Sequence, residues 1–86
     1  MPSTPSSPSE AEIAAALLDL GHRRGRGASF CPSEAARALA ADWRPLMPEV
    51  RRTAASLATA GRLRVTQKGR AVDPATARGP IRLRLA

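Results

Sequence analysis

The chain has little of what small domains use to staple themselves together or to grip a ligand. One cysteine among 86 residues excludes an internal disulfide, so the fold must rest on apolar packing, and a reducing cytoplasm is the expected setting. There is no tyrosine, and Phe30 and Trp43 are the only aromatics. Both lie in apolar contexts that read as core, which leaves no platform for stacking unpaired bases. No apolar run approaches the ~18 residues of a membrane span. The opening Ser/Pro stretch lacks the basic and apolar regions of a secretion signal. The scarcity with the largest consequence is of acids late in the chain, where Asp73 is the only one after position 50.

What fills that region is positive charge. Residues 51–86 carry eight Arg and one Lys for a net +8, whereas residues 1–50 carry five Arg against six acids for a net −1. GC-rich coding accounts for thirteen Arg to one Lys, but it does not explain why the acids avoid the same segment. A polyanionic partner for the C-terminal part is the physical expectation.

A chain this short makes one domain, burying only about 60% of the surface its unfolded form exposes. Residues 1–7 read as a disordered Ser/Pro tail and residues 8–86 as the domain. Ser7-Pro8-Ser9-Glu10 has the pattern of a capping box with Pro at the first helical position. Ile13, Ala16, Leu17 and Leu20 follow at helical spacing, which predicts helix 1 over 8–22. The Gly/Arg run from Gly21 to Gly27 should stop it. Ala28 to Phe30 is a short extended piece. Cys31-Pro32-Ser33-Glu34 repeats the cap pattern and opens helix 2 over 32–40, with Ala35, Ala36 and Leu39 inward. A turn at Asp42-Trp43-Arg44-Pro45 leads into helix 3, from Pro45 to Ala60, with Gly61 past its end. Leu46, Val50, Ala54 and Leu57 form its inner face, and Pro48, Arg52, Ala55, Ser56 and Thr59 its outer one.

After Gly61 the apolar period changes from 3.6 to 2. Leu63 and Val65, then Ile81, Leu83 and Leu85, alternate with polar residues in two half-buried strands. Between them lie the Lys68-Gly69 turn signal and a loop through Arg78-Gly79-Pro80. Three helices followed by a two-stranded hairpin is an α+β chain in the winged helix order, with the hairpin as the wing. The expected core is Ile13, Leu17, Leu20, Phe30, Leu39, Trp43, Leu46, Val50, Leu57, Leu63, Val65, Ile81 and Leu83.

Four stretches carry a resemblance: Cys31-Pro32-Ser33-Glu34-Ala35-Ala36-Arg37, Trp43-Arg44-Pro45-Leu46-Met47, Val65-Thr66-Gln67-Lys68-Gly69-Arg70 and Gly79-Pro80-Ile81-Arg82-Leu83. Together they resemble a family of small bacterial proteins known as a domain of unknown function. The resemblance covers about residues 8–86 and implies a winged helix-like fold, but no activity and no site residues.

On such a fold the third helix enters the major groove and the hairpin reaches the adjacent backbone. Arg52, Ser56 and Thr59 are then the groove-facing residues, Arg44 and Arg51 are placed for phosphates, and Lys68, Arg70 and Arg78 lie on the wing. The same outer face is also what any solvated third helix presents, and Glu49 brings negative charge to it. Arg62, Arg64, Arg82 and Arg84 share the polar side of the strands, an arrangement that calls either for an anionic partner or for cover by Glu10, Glu12 and Asp19 of helix 1. Cys31 and His22 have no partners that would make a metal set or a nucleophile and base pair. The expectation is a non-enzymatic, cofactor-free, cytoplasmic module, monomeric or weakly dimeric and not membrane-bound, that binds duplex DNA mainly through phosphates. A protein-interaction module docking an acidic partner on the same basic surface is the alternative.

Overall fold

The computed structural model describes residues 8–86, and the tail expected over 1–7, with Ser7, lies outside them. Helix α1 spans Glu10–Arg24 and starts two residues later than the sequence predicts. Two Ser-x-x-Glu patterns overlap here, and the second one forms the box. The Glu12 amide donates to Ser9 Oγ and the Ser9 amide to Glu12 Oε1, each at 3.1 Å.

The helix also runs two residues past the expected end at 22, further into the Gly/Arg run that should stop it, with Gly21 inside its last turns. A mid-helix glycine costs about 1 kcal/mol relative to alanine, and here packing offsets it. A Cβ at Gly21 would lie 2.8 Å from Leu85 Cδ2, so the bare backbone is what lets the last strand seat against α1. His22, Arg23 and Arg24 in the final turn suit the negative end of the helix dipole.

Helix α2 (Pro32–Leu39) starts where its cap pattern places it. The third helix is shorter than expected: Arg44–Leu46 form a 3-10 turn and α3 proper spans Met47–Thr59. Among the described residues, no helix is long and apolar enough to cross a membrane.

The sheet has three strands, not two. Strand β1 (Leu63–Gln67) is central, β3 (Arg82–Leu85) pairs along one edge, and the two-residue β2 (Arg70–Ala71) pairs along the other, all antiparallel. Lys68 and Gly69 connect β1 to β2 with φ of 52° and 81°, the pair of positive values a tight hairpin turn requires. The extended piece before α2 is also present: Phe30 exchanges two 2.8 Å backbone hydrogen bonds with Leu83.

Helices α1 and α3 pack on one face of the sheet, and α2 lies against both of them. Ile13, Leu17, Phe30, Val50 and Leu83 are essentially inaccessible at their centre. Leu20, Leu39 and Trp43, expected inside, are only half-buried at the margin. The small residues Ala35, Ala36 and Ala54 of α2 and α3 are fully buried in the same core.

Candidate functional site

The outer side of α3 and the segment after β2 lie side by side. Residue Arg51 makes the connection, because its Nη1 donates to the Ala77 carbonyl at 2.8 Å and its Nη2 to the Gly79 carbonyl at 2.6 Å. From the opposite direction Gln67 Nε2 donates to the carbonyls of Arg78 and of Pro80, the latter at 3.1 Å. Four carbonyls in a row, 77 to 80, are thereby fixed by two side chains, and Arg78 is held between α3 and β1 with its own side chain exposed. Asp73 shapes the start of the segment: Oδ1 accepts from the Ala75 amide at 2.9 Å, and its carbonyl accepts from Ala77 at 2.8 Å.

Arg51 therefore has a different role from the one its sequence position suggests. Expected to face phosphates, it is half-buried and its planar fork is occupied by the protein's own backbone, so it positions the loop. Arg52 remains on the exposed side but is paired with Glu49 one turn earlier. Ser56 and Thr59 are exposed further along α3, and Lys68 and Arg70 project around the tight turn. A groove of about 510 Å³ runs between Ala55, Thr59, Ala71 and Pro74, with Asp73 at its edge. The surface is thus basic at its two borders and apolar, with one acid, between them.

Arg44 stands apart from the hairpin. It lies over Trp43 with its guanidinium carbon 4.7 Å from the ring centroid, and Arg37 of α2 makes a second such contact, also at 4.7 Å. Cation–aromatic contacts at exposed sites contribute roughly 0.5–1 kcal/mol each. They also explain why Trp43 stays half-open: its ring is covered by arginines instead of by core. Arg37, Gln67 and Asp73 escape a reading of helical and strand periodicity because their partners are a ring face and backbone carbonyls.

The polar side of the sheet departs from expectation in two ways. Arg62 precedes β1 and lines a hollow with Leu18 and His22. Arg82 is tied to the neighbouring segment, donating to Ser29 Oγ at 3.1 Å, to the Ser29 carbonyl at 3.0 Å and to Cys31 Sγ at 2.8 Å. The acids proposed as cover are elsewhere: Glu12 caps α1, and Asp19 pairs with Arg23 at 3.0 Å.

Glu34 is the most constrained carboxylate. The Cys31 amide donates to it at 2.8 Å and Arg24 pairs with it. The Cys31 amide, followed by Arg24 and Arg82, holds its pKa below the ordinary value near 4.5, against the upward push of partial burial. Because the folded pKa is depressed, this stabilisation is complete above the unfolded value and is lost as pH falls through the folded one. Glu34→Gln should therefore flatten the acid limb of stability below about pH 5 and cost about 1 kcal/mol at neutral pH, as read by urea unfolding across pH 3–7. An unchanged acid limb would show that the carboxylate contributes nothing there.

The fold and site define an α+β domain in which two of three helices cover one face of a three-stranded antiparallel sheet, the other helix packs on those two, and a clamped basic loop borders the third helix. The chain belongs to the family described as protein of unknown function (DUF3253), whose model matches residues 10–86. No curated protein matches it.

Proposed function

We propose that this domain is a winged helix-like module that binds duplex DNA, with α3 as the groove-facing helix and the segment from Lys68 to Gly79 as the wing. The observation that carries the reading is the Arg51 fork, which fastens the loop to α3 and so makes helix and hairpin one rigid platform. The element order and the Phe30–β3–β1–β2 pairing support the fold part of the reading. Arg44, Lys68, Arg70 and Arg78 are exposed, and among the described residues none of them pairs with a carboxylate. They are the four phosphate contacts. Arg52 reads bases only by leaving Glu49, so sequence discrimination by this one module is small. We assign no catalytic role to any residue.

Titration of the full chain against unrelated duplexes at several salt concentrations tests the proposal. Four phosphate contacts predict a log–log slope of about −4. Lys68→Ala and Arg70→Ala should each reduce the slope by about 1 and weaken all duplexes alike, while Arg52→Ala should change the preference between sequences. Absence of binding by folded protein at low salt ends the DNA reading and leaves an acidic protein as the partner to be sought.

A further inference from the structure

The face of the sheet turned away from the helices carries a feature that α3 and the hairpin do not account for. Arg64 on β1 and Arg84 on β3 are direct cross-strand partners, which places their Cβ atoms about 5 Å apart on one face. Like charges so placed are unfavourable, and nothing nearby relieves them. Among the described residues neither guanidinium donates a hydrogen bond to a protein acceptor, and the three ion pairs are Asp19–Arg23, Glu34–Arg24 and Glu49–Arg52. Arg82, two residues away on β3, is anchored to Ser29 and Cys31, and Arg62 lines the separate hollow with Leu18 and His22, which leaves Arg64 and Arg84 opposite one another. Both arginines border a concavity of about 500 Å³ that takes in Thr66, Gly69 and Ala71 and reaches round the edge of β1 to Ala58 of α3.

We propose that this cross-strand arginine pair is a second phosphate-binding surface that seats the backbone of another duplex segment, so that one molecule bridges two DNA segments. The inference rests on the duplex-binding reading above. Two planar forks opening on one hollow match a phosphodiester, which accepts bidentate guanidinium bonds from either side. Leu63 and Val65, which alternate with Arg64, belong to the core shared with the helices, so Arg64 and Arg84 lie on the opposite face of the sheet, and neither is among the four residues that contact the first duplex.

The experiment mixes donor- and acceptor-labelled duplexes with the full chain at low salt and reads energy transfer. Wild-type protein should bring the duplexes together. R64Q/R84Q should need at least tenfold more protein to do so, while its affinity for a single duplex at limiting protein changes by no more than about twofold. R84E supplies an opposite charge across the strands, so its thermal midpoint should rise by about 1–5 °C while bridging is lost, which separates loss of the site from loss of the fold. Unchanged bridging in R64Q/R84Q overturns the proposal. So does poly-glutamate that displaces duplex from this face as well as competing duplex does, because the partner is then an acidic protein. If instead R64Q/R84Q abolishes all duplex binding and Lys68→Ala/Arg70→Ala spares it, the sheet face is a phosphate site on its own and the helix and hairpin reading is the one that fails.

Discussion

Phe30→Ala should destabilise the domain by about 3–5 kcal/mol, the largest effect expected of any single truncation in this chain. Phe30 is fully inaccessible, its ring also meets the Gly21 position at the α1 packing site, and its backbone holds β3 through both hydrogen bonds to Leu83. Removing the ring leaves a cavity at the point where α1, the segment before α2 and the sheet converge. Small domains have stabilities at the low end of roughly 5–15 kcal/mol, so the variant should be largely unfolded at physiological temperature, as thermal and urea unfolding would show. Trp43→Ala, although it deletes a larger side chain, should cost about half as much, because its ring is half-open and covered by Arg37 and Arg44. If Trp43→Ala proves the more damaging of the two, the indole and not the Phe30 ring is the centre of the packing.

Arg51→Met should release the loop while leaving the core intact. The methionine keeps the apolar stem against α3 but removes both hydrogen bonds to the carbonyls of Ala77 and Gly79, each worth about 1.5–3 kcal/mol when made by a charged donor. Those carbonyls regain water at the surface, so the net cost should be about 1–3 kcal/mol, concentrated in the loop. Hydrogen exchange of the Thr76 and Ala77 amides should accelerate by about 10–100-fold, and duplex affinity should fall by about tenfold as Arg78 loses its fixed position. Arg51→Lys is the discriminating control. It restores the charge but cannot span two carbonyls with one planar fork, so the loop amides should remain fast. Full protection in Arg51→Lys would mean that charge, and not geometry, is what matters at this position.

The contrast between Arg51 and its neighbour shows where sequence reasoning stops. Helical periodicity places Arg51 on the flank of α3 and Arg52 on its outer face, as found. It cannot show that Arg51 meets backbone carbonyls, since every residue has one and a carbonyl leaves no trace in the sequence. The helices were legible because caps and apolar stripes are local features, and the strands because a period of 2 is distinct from one of 3.6. The start of α1 was ambiguous because two capping patterns overlap two residues apart. Its end lies two residues past the expected 22, because the Gly/Arg run reads as a stop while His22, Arg23 and Arg24 still complete the last turn; that Gly21 gives Leu85 its space is a contact between positions more than sixty apart, which no local pattern shows. Strand β2 is two residues long, too short to show any period, and exists through its pairing with Thr66 and Gln67. Trp43 reads as core from its apolar context, whereas Arg37 and Arg44 lie over its ring and it sits half-buried at the margin.

The seating of Leu85 over Gly21 and the bridge from Phe30 to Leu83 bear on how the domain acquires its structure during synthesis. The first helix and the last strand of the domain support one another, so α1 has its full set of contacts only after β3 has been made. Until residues 81–85 have cleared the exit tunnel, α1, α2 and α3 can associate, but the apolar face they present to the sheet has no cover. Closure of the core is thus a single late event, and the interval before it is when the nascent chain is most exposed to aggregation and proteolysis.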